Sequence, residues 1–273
     1  MRTRTRPPRI ARARWVHAMA DGYDAALFAR LAAIEEKSFW FRARNRLIAQ
    51  LVGELARPGE HFLEVGCGTG YVLRMLAREL RLRVTGAELF AEGLEHARRR
   101  VPEATLVELD ARAMPYEQAF DLAGAFDVLE HVDDDAAVLR GLRRALRPDG
   151  ALLLTVPQHP WLWSAADEQA HHVRRYRRAE LLERVREAGF HVVRVTSFVT
   201  SLLPVMALAR LRRRRDAAPD ALDELVPSAA LNRLFEALLN RECALIRRGA
   251  SLPAGGSLVV VARRIEREHA EAG

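Results

Sequence analysis

The feature that most constrains this chain is the run Phe62-Leu63-Glu64-Val65-Gly66-Cys67-Gly68-Thr69-Gly70-Tyr71. A short apolar segment, His61 to Val65, enters a loop with glycine at alternate positions, and helical spacing starts directly after it at Tyr71. Glycine reaches positive φ without strain and lets a ligand approach the backbone with no Cβ in the way. A helix N-terminus behind such a loop offers unpaired N–H groups. The arrangement predicts a nucleotide-like ligand at the carboxyl edge of a sheet. Dinucleotide sites need Gly-x-Gly-x-x-Gly, yet the third place is Tyr71 counted from Gly66 and Leu73 counted from Gly68. The spacing here is Gly-x-Gly-x-Gly. A tight turn holding no ligand is the plainer use of the same glycines.

Strand and helix patterns alternate on both sides of this loop. Helical spacing runs from Tyr23 to Ala56 with a break near Ser38, and Pro58-Gly59 turns the chain. Strands are expected at Leu82–Glu88, Thr105–Leu109, Ala123–Leu129 and Ala151–Val156. Helices are expected at Tyr71–Leu80, Ala91–Arg100 and Asp133–Leu146, the last ended by a turn at Arg147-Pro148-Asp149-Gly150. Ala151 to Val156 has no polar alternation except Thr155, as in a strand buried on both faces of a parallel sheet. A loop rich in aromatics and histidines, Pro157 to Tyr176, then leads to a helix at Ala179–Ala188, a strand at Phe190–Phe198, a helix at Ser228–Ile246 and a last strand at Ser257–Val261.

Composition bounds the function classes. At 273 residues the chain suits one or two domains, and 49% hydrophobic with 29% charged residues is the balance of a globular protein. The formal charge of +7 comes almost wholly from arginine, since Lys37 is the only lysine. A uniform arginine bias without a recognisable module argues against nucleic acid as a partner. Cys67 and Cys243 are too far apart in sequence to suggest a disulfide framework, so a reducing, cytoplasmic setting is expected. Residues 1–20 read as a disordered basic leader, residues 21–265 as one domain and residues 266–273 as a polar tail.

The glycine run resembles the class I S-adenosylmethionine-dependent methyltransferases, and the resemblance extends from about Trp40 to Ala262. It implies an α/β, Rossmann-like fold: a mostly parallel seven-stranded sheet with an antiparallel last strand and helices on both faces. Residues 21–57 would be N-terminal cover helices, Trp40-Phe41-Arg42-Ala43-Arg44-Asn45 among them, and residues 198–250 a helical insert before the last strand. The acidic-x-Gly-x-Gly-x-Gly motif maps onto Glu64, Gly66, Gly68 and Gly70, with Cys67 between them, and implies contact with the methionine end of S-adenosyl-L-methionine. Glu88, followed by Leu89, matches the acidic residue that holds the ribose hydroxyls. Asp110, followed by Ala111, matches the aspartate that takes the adenine amino group. Phe126-Asp127-Val128-Leu129-Glu130-His131-Val132 resembles the family's signature beside the transferred methyl, which brings in Asp127.

Methyl transfer from a sulfonium mainly requires alignment and exclusion of water, with a general base only for weakly acidic acceptors. His131 is the first candidate base and Glu130 the second; capping of the next helix is the structural alternative. His159, Trp161, Trp163, His171, His172 and Tyr176 are candidates for acceptor binding. Alternatively, the tryptophans pack the loop on the sheet and Arg174, Arg175 and Tyr176 cap the following helix. Asp167 with His171 and His172 is conceivable as a metal site, but the ligand spacing is not that of a structural zinc, so no metal is expected. Residues 198–215, an apolar stretch followed by Arg212-Arg213-Arg214-Arg215, suit peripheral contact with a membrane and a lipid-linked acceptor. The alternative is an ordinary helix buried against Leu231, Leu234, Leu238 and Leu239. The expected function is methyl transfer to a small-molecule or lipid-linked acceptor. A cofactor-binding domain without catalysis and a nicotinamide-dependent oxidoreductase are the alternatives.

Overall fold

The computed structural model describes residues 25–213, Leu222 and residues 225–266. Its apolar runs pair as β1 (His61–Val65), β2 (Arg83–Glu88), β3 (Thr105–Glu108), β4 (Phe120–Phe126), β5 (Leu146–Pro157), β6 (Phe190–Phe198) and β7 (Ser257–Arg264). They form one seven-stranded sheet in the order β3-β2-β1-β4-β5-β7-β6. β1 is parallel to β2 and β4, β2 to β3 and β4 to β5, while β7 runs antiparallel to β5 and β6. The expected sheet is the one observed. From β1 the chain winds outward to β3 and returns to β4 on the other side, which leaves a crevice at the carboxyl ends of β1 and β4.

Nine described helices cover the sheet: α1 (Ala25–Ile34), α2 (Phe39–Gly53), α3 (Tyr71–Glu79), α4 (Ala91–Arg100), α5 (Asp135–Ala145), α6 (Ala165–Gln169), α7 (Arg178–Glu187), α8 (Leu203–Arg213) and α9 (Ala229–Arg247). Successive strand residues point to opposite faces, and both faces are buried. Phe62, Leu122 and Val259 meet Leu47, Leu51, Leu76 and Ile246 on one side. Leu63, Ala123 and Val260 meet Val138, Leu142, Leu181 and Val185 on the other. That double burial is why the central strands carry so few polar residues. The break near Ser38 is a helix start: the Ser38 hydroxyl accepts from Trp40 N at 3.2 Å. Gly189, at φ 86°, closes α7 in the left-handed conformation that glycine adopts readily.

Two boundaries differ from the sequence reading. β4 stops at Phe126 rather than Leu129, because Asp127 takes φ 56° and Leu129–His131 forms a 3-10 turn. The signature around Glu130 and His131 therefore sits on a turn, not a strand end. β5 begins at Leu146 rather than Ala151: Arg147–Gly150, expected as a turn, belongs to the strand as an irregular stretch, and pairing jumps from Phe120↔Leu146 to Leu122↔Ala151.

The insert also packs differently from the buried-helix alternative. Val205, Leu208, Leu231 and Leu234 are exposed, so α8 is not held by Leu231 and Leu234. Leu202 and Met206 do join the core beside Phe198 and Val199, in the same cluster as Leu238 and Leu239 of the expected set. α9 lies along α2, where Asn232 Oδ1 accepts from Phe39 N at 2.8 Å and Glu236 pairs with Arg42 and Arg46. No described helix is long and apolar enough to cross a membrane. The expected leader, Arg214 and Arg215 of the arginine block, and the tail beyond residue 266 lie outside the described residues.

Candidate functional site

All three loop glycines take positive φ: 68° at Gly66, 51° at Gly68 and 76° at Gly70. Packing requires two of them. A Cβ on Gly66 would lie 2.4 Å from Val128 Cγ2, and one on Gly70 would lie 3.0 Å from Ala97 Cα. A Cβ on Gly68 would meet nothing within 4 Å. Gly68 is thus glycine for its backbone angle and for the open space above it.

Glu88 fastens this loop to β2. Its Oε2 accepts from Gly68 N at 2.8 Å, and its Oε1 accepts from Leu89 N at 2.8 Å and Phe90 N at 3.2 Å. Burial raises its pKa, against the opposing pull of those amides. A carboxylate has about four lone-pair sites, so three amides leave room for one more donor. A second latch joins α1 to the loop: the Thr69 hydroxyl donates to Glu35 at 2.6 Å, and Arg100 Nη1 donates to Glu35 Oε2 at 2.5 Å.

The loop opens into a cavity of about 1060 Å³ at the carboxyl edge of the sheet. Among the expected cofactor residues, Glu64, Gly66, Cys67, Gly68, Glu88, Leu89, Asp110, Ala111 and Asp127 line it, whereas Gly70 does not. Glu130 and His131 line it too, and His172 joins them from the loop after β5. The other acceptor candidates lie elsewhere. Trp161 is 56% exposed and packs beside His159, with ring centroids 5.6 Å apart. Trp163 Nε1 donates to Glu168 at 3.3 Å, and His171 is exposed. Leu162, between the two tryptophans, is the residue that is buried. Tyr176 is fully buried and its hydroxyl donates to Asp135 Oδ2 at 2.6 Å. Arg174 reaches the same carboxylate at 2.9 Å. These two residues tie the loop to α5 rather than capping α7.

The role of one wall residue, Arg44, escaped the sequence reading because its partners are distant in the chain. Arg44 of α2 crosses to the end of β4, where its Nη2 donates to Phe126 O at 2.8 Å and its Nε lies 2.7 Å from Asp127 Oδ2. Its guanidinium also stands 5.0 Å from the Trp40 ring centroid. The aromatic and arginine pattern of residues 40–45 was the available signal. Asp110 caps the short turn after β3 by accepting from Arg112 N at 2.9 Å and pairs with the Arg112 guanidinium at 2.6 Å. Burial opposes ionisation of Asp110, but the bonds to Arg112 outweigh it and lower its pKa.

The wall near β4 holds unusual acids and imidazoles. Glu130 is 0% exposed, and neither carboxylate oxygen has a hydrogen-bond partner from another residue. Burial, helped by the Asp127 charge, pushes its pKa well up. His131 is depressed to about 3 by burial and by the neighbouring His172. Asp167 accepts from His172 Nδ1 at 2.9 Å and from Arg175 Nε at 2.7 Å. Those two partners overcome its burial and bring it down to about 2. Further round the wall, Glu64 is buried with its Oε2 unpartnered, and burial raises its pKa well above the usual range.

The residues present fit S-adenosyl-L-methionine. The open face above Gly68 leaves space against backbone amides. The orphaned Glu64 oxygen is an acceptor that a cationic ligand group satisfies. The remaining lone pair of Glu88 suits a hydroxyl donor.

Comparison with known proteins agrees with this geometry. A family model described as a methyltransferase domain matches residues 36–195, more than half of the chain. The chain is 32% identical over 175 residues to the 27-O-demethylrifamycin SV methyltransferase of Amycolatopsis mediterranei, which covers 60% of this chain and 58% of that protein. It is 32% identical over 124 residues to a ubiquinone biosynthesis O-methyltransferase of Sodalis glossinidius, covering 43% of this chain and 49% of that protein. The chain thus spans about half the length of the curated relatives it matches. Among solved structures, the [4+2]-cyclase SpnF has a TM-score of 0.57 at 22% identity, with 83% of each chain covered. Geranyl diphosphate C-methyltransferase from Streptomyces coelicolor A3(2), in complex with S-adenosyl-L-homocysteine among its ligands, has a TM-score of 0.54 at 15% identity, with 80% of each chain covered. These two likenesses are of fold alone. With its glycine loop, sheet order and matched span, the chain belongs to the class I S-adenosylmethionine-dependent methyltransferase family.

Proposed function

We propose that the chain binds S-adenosyl-L-methionine in the cavity at the β1/β4 crevice and transfers its methyl group to a small-molecule acceptor. The observation that carries this reading is the Glu88-fastened glycine loop opening on a cavity of about 1060 Å³. That volume lies just above the range of about 300–1,000 Å³ usual for one ligand, which leaves room for cofactor and acceptor together. When bound, the cofactor supplies an activated methyl on a sulfonium. Glu88 would take one ribose hydroxyl, rather than two, on the lone pair its three amides leave free. Asp110 would take the adenine amino group, and Glu64 and Asp127 would face the cationic methionine end. The relatives are a methyltransferase of 27-O-demethylrifamycin SV and an O-methyltransferase of ubiquinone biosynthesis, and on that analogy the acceptor here carries a hydroxyl. His131, held neutral down to about pH 3, is a weak proton acceptor on its own.

Isothermal titration with S-adenosyl-L-methionine and its demethylated product tests this reading. Micromolar binding is expected, weakened at least about tenfold in Glu88→Ala, because the buried amides lose their acceptor. Absence of binding to either compound at millimolar concentration would sink it. Incubation with methyl-labelled cofactor and candidate phenols, with the label followed into product, then separates an enzyme from a binding domain.

A further inference from the structure

We infer that Glu130, His131 and His172 form a binding site for one divalent transition-metal ion of the zinc type, facing the cofactor loop across the cavity. A ligand atom from each lies within 4.8 Å of the other two, and all three residues line the cavity. Zinc bonds of about 2.0–2.2 Å place neighbouring ligand atoms roughly 3.3 Å apart, so the trio must close by at most about 1.5 Å. The Glu130 carboxylate, which no other residue holds, is the group free to make most of that adjustment. Two imidazole nitrogens and one carboxylate oxygen, with a side open to the cavity, are the donor set of an incomplete coordination sphere. Harder ions such as magnesium prefer oxygen ligands throughout.

Two independent observations support the site. Glu130 is fully buried with no partner from another residue on either oxygen, and its Oε1 stands 4.0 Å from His172 Nε2. An unsatisfied carboxylate in such a place calls for a cation. Both imidazoles are also already oriented as ligands. His172 gives Nδ1 to Asp167, which is itself held by Arg175 and by Ser164 N, so its Nε2 faces Glu130. The His131 ring is hydrogen-bonded to the backbone at Ala170 and His171. Carboxylate and carbonyl partners of this kind fix the tautomer of metal-binding histidines. The short helix α6 and its capping box at Ser164 thereby gain a purpose: they carry Asp167 to His172. The spacing of Asp167, His171 and His172 suggested a different set, in which Asp167 was a ligand and Glu130 and His131 were absent. Folding turns Asp167 into the orienting group.

The cation's place in the chemistry is to accept the oxygen of a hydroxyl acceptor as a further ligand and lower its pKa. This role rests on the methyl-transfer reading; metal binding does not. The test is titration of chelator-treated, dialysed full-length chain with Zn²⁺ by calorimetry, with Mg²⁺ as comparison and Co²⁺ visible absorption as a second readout. One Zn²⁺ per chain is expected, together with cobalt bands showing nitrogen and oxygen ligation. Affinity should fall more than about tenfold in His172→Ala and in Glu130→Gln, about 10–100-fold in Asp167→Asn, and stay unchanged in His191→Ala on the exposed end of β6. S-adenosyl-L-methionine titrated into the same samples reports whether the cofactor site survives in each variant. No zinc bound by the wild-type chain overturns the site, as does zinc retained at full affinity by both His172→Ala and Glu130→Gln. Zinc bound as expected by a chain that ignores the cofactor overturns the methyl-transfer reading and leaves the metal site standing.

Discussion

Gly66 and Gly68 are two residues apart in one loop, yet the structure assigns alanine unequal costs at the two positions. In Gly66→Ala the new Cβ lies 2.4 Å from Val128 Cγ2 at a φ of 68°. A left-handed alanine costs about 1 kcal/mol or slightly more, and an extra carbon in a packed contact costs about 1–3 kcal/mol. The sum is about 2–4 kcal/mol. In Gly68→Ala only the backbone penalty applies, about 1 kcal/mol, since nothing lies within 4 Å of the Cβ. For a chain of this size each kcal/mol moves the midpoint by roughly 2 °C. Thermal unfolding should therefore drop by roughly 4–8 °C for Gly66→Ala and about 2 °C for Gly68→Ala. Calorimetry with S-adenosyl-L-methionine should show at least about tenfold weaker binding by Gly68→Ala, whose methyl fills space the ligand needs. Wild-type affinity in Gly68→Ala would show that its open side is not where the ligand lies. A Gly66→Ala no less stable than Gly68→Ala would refute the packing argument.

Two further outcomes follow from the same wall. Arg44→Ala removes the partner of Asp127, whose side chain is only 20% exposed, and should lower stability in urea by about 3 kcal/mol; a change under about 0.5 kcal/mol would refute the pairing. His131 has a folded pKa of about 3 against an unfolded value near 6.5, so below pH 6.5 the unfolded chain takes a proton that the fold refuses. The stability tied to this residue is full above pH 6.5 and is lost as pH falls toward 3. His131→Asn should flatten the stability profile in that window, and profiles that stay parallel would contradict the burial of the ring.

Most of the fold was legible because its signals are local. Alternate glycines after β1, apolar runs bounded by turns, Ser38 at the start of α2 and Gly189 at the end of α7 each act within a few residues. The extent of β4 was misread because Phe126 through Leu129 reads as apolar throughout except for Asp127, which takes a left-handed turn and pairs with Arg44, far earlier in the chain. The tryptophans at 161 and 163 invited a packing role that Leu162 performs instead, since a 3-10 turn buries the residue between them.

The chain's own order of residues was enough to set the strand-loop-helix cradle, the alternation that makes a parallel sheet, and the family. Folding alone decided the wall opposite the loop. Arg44 against Asp127, Glu35 against Thr69 and Arg100, and His172 against Glu130 join segments between 34 and 83 residues apart. Pattern periodicity speaks only for neighbours along the chain, whereas ion pairs and metal-competent clusters depend on which strand ends the sheet brings side by side.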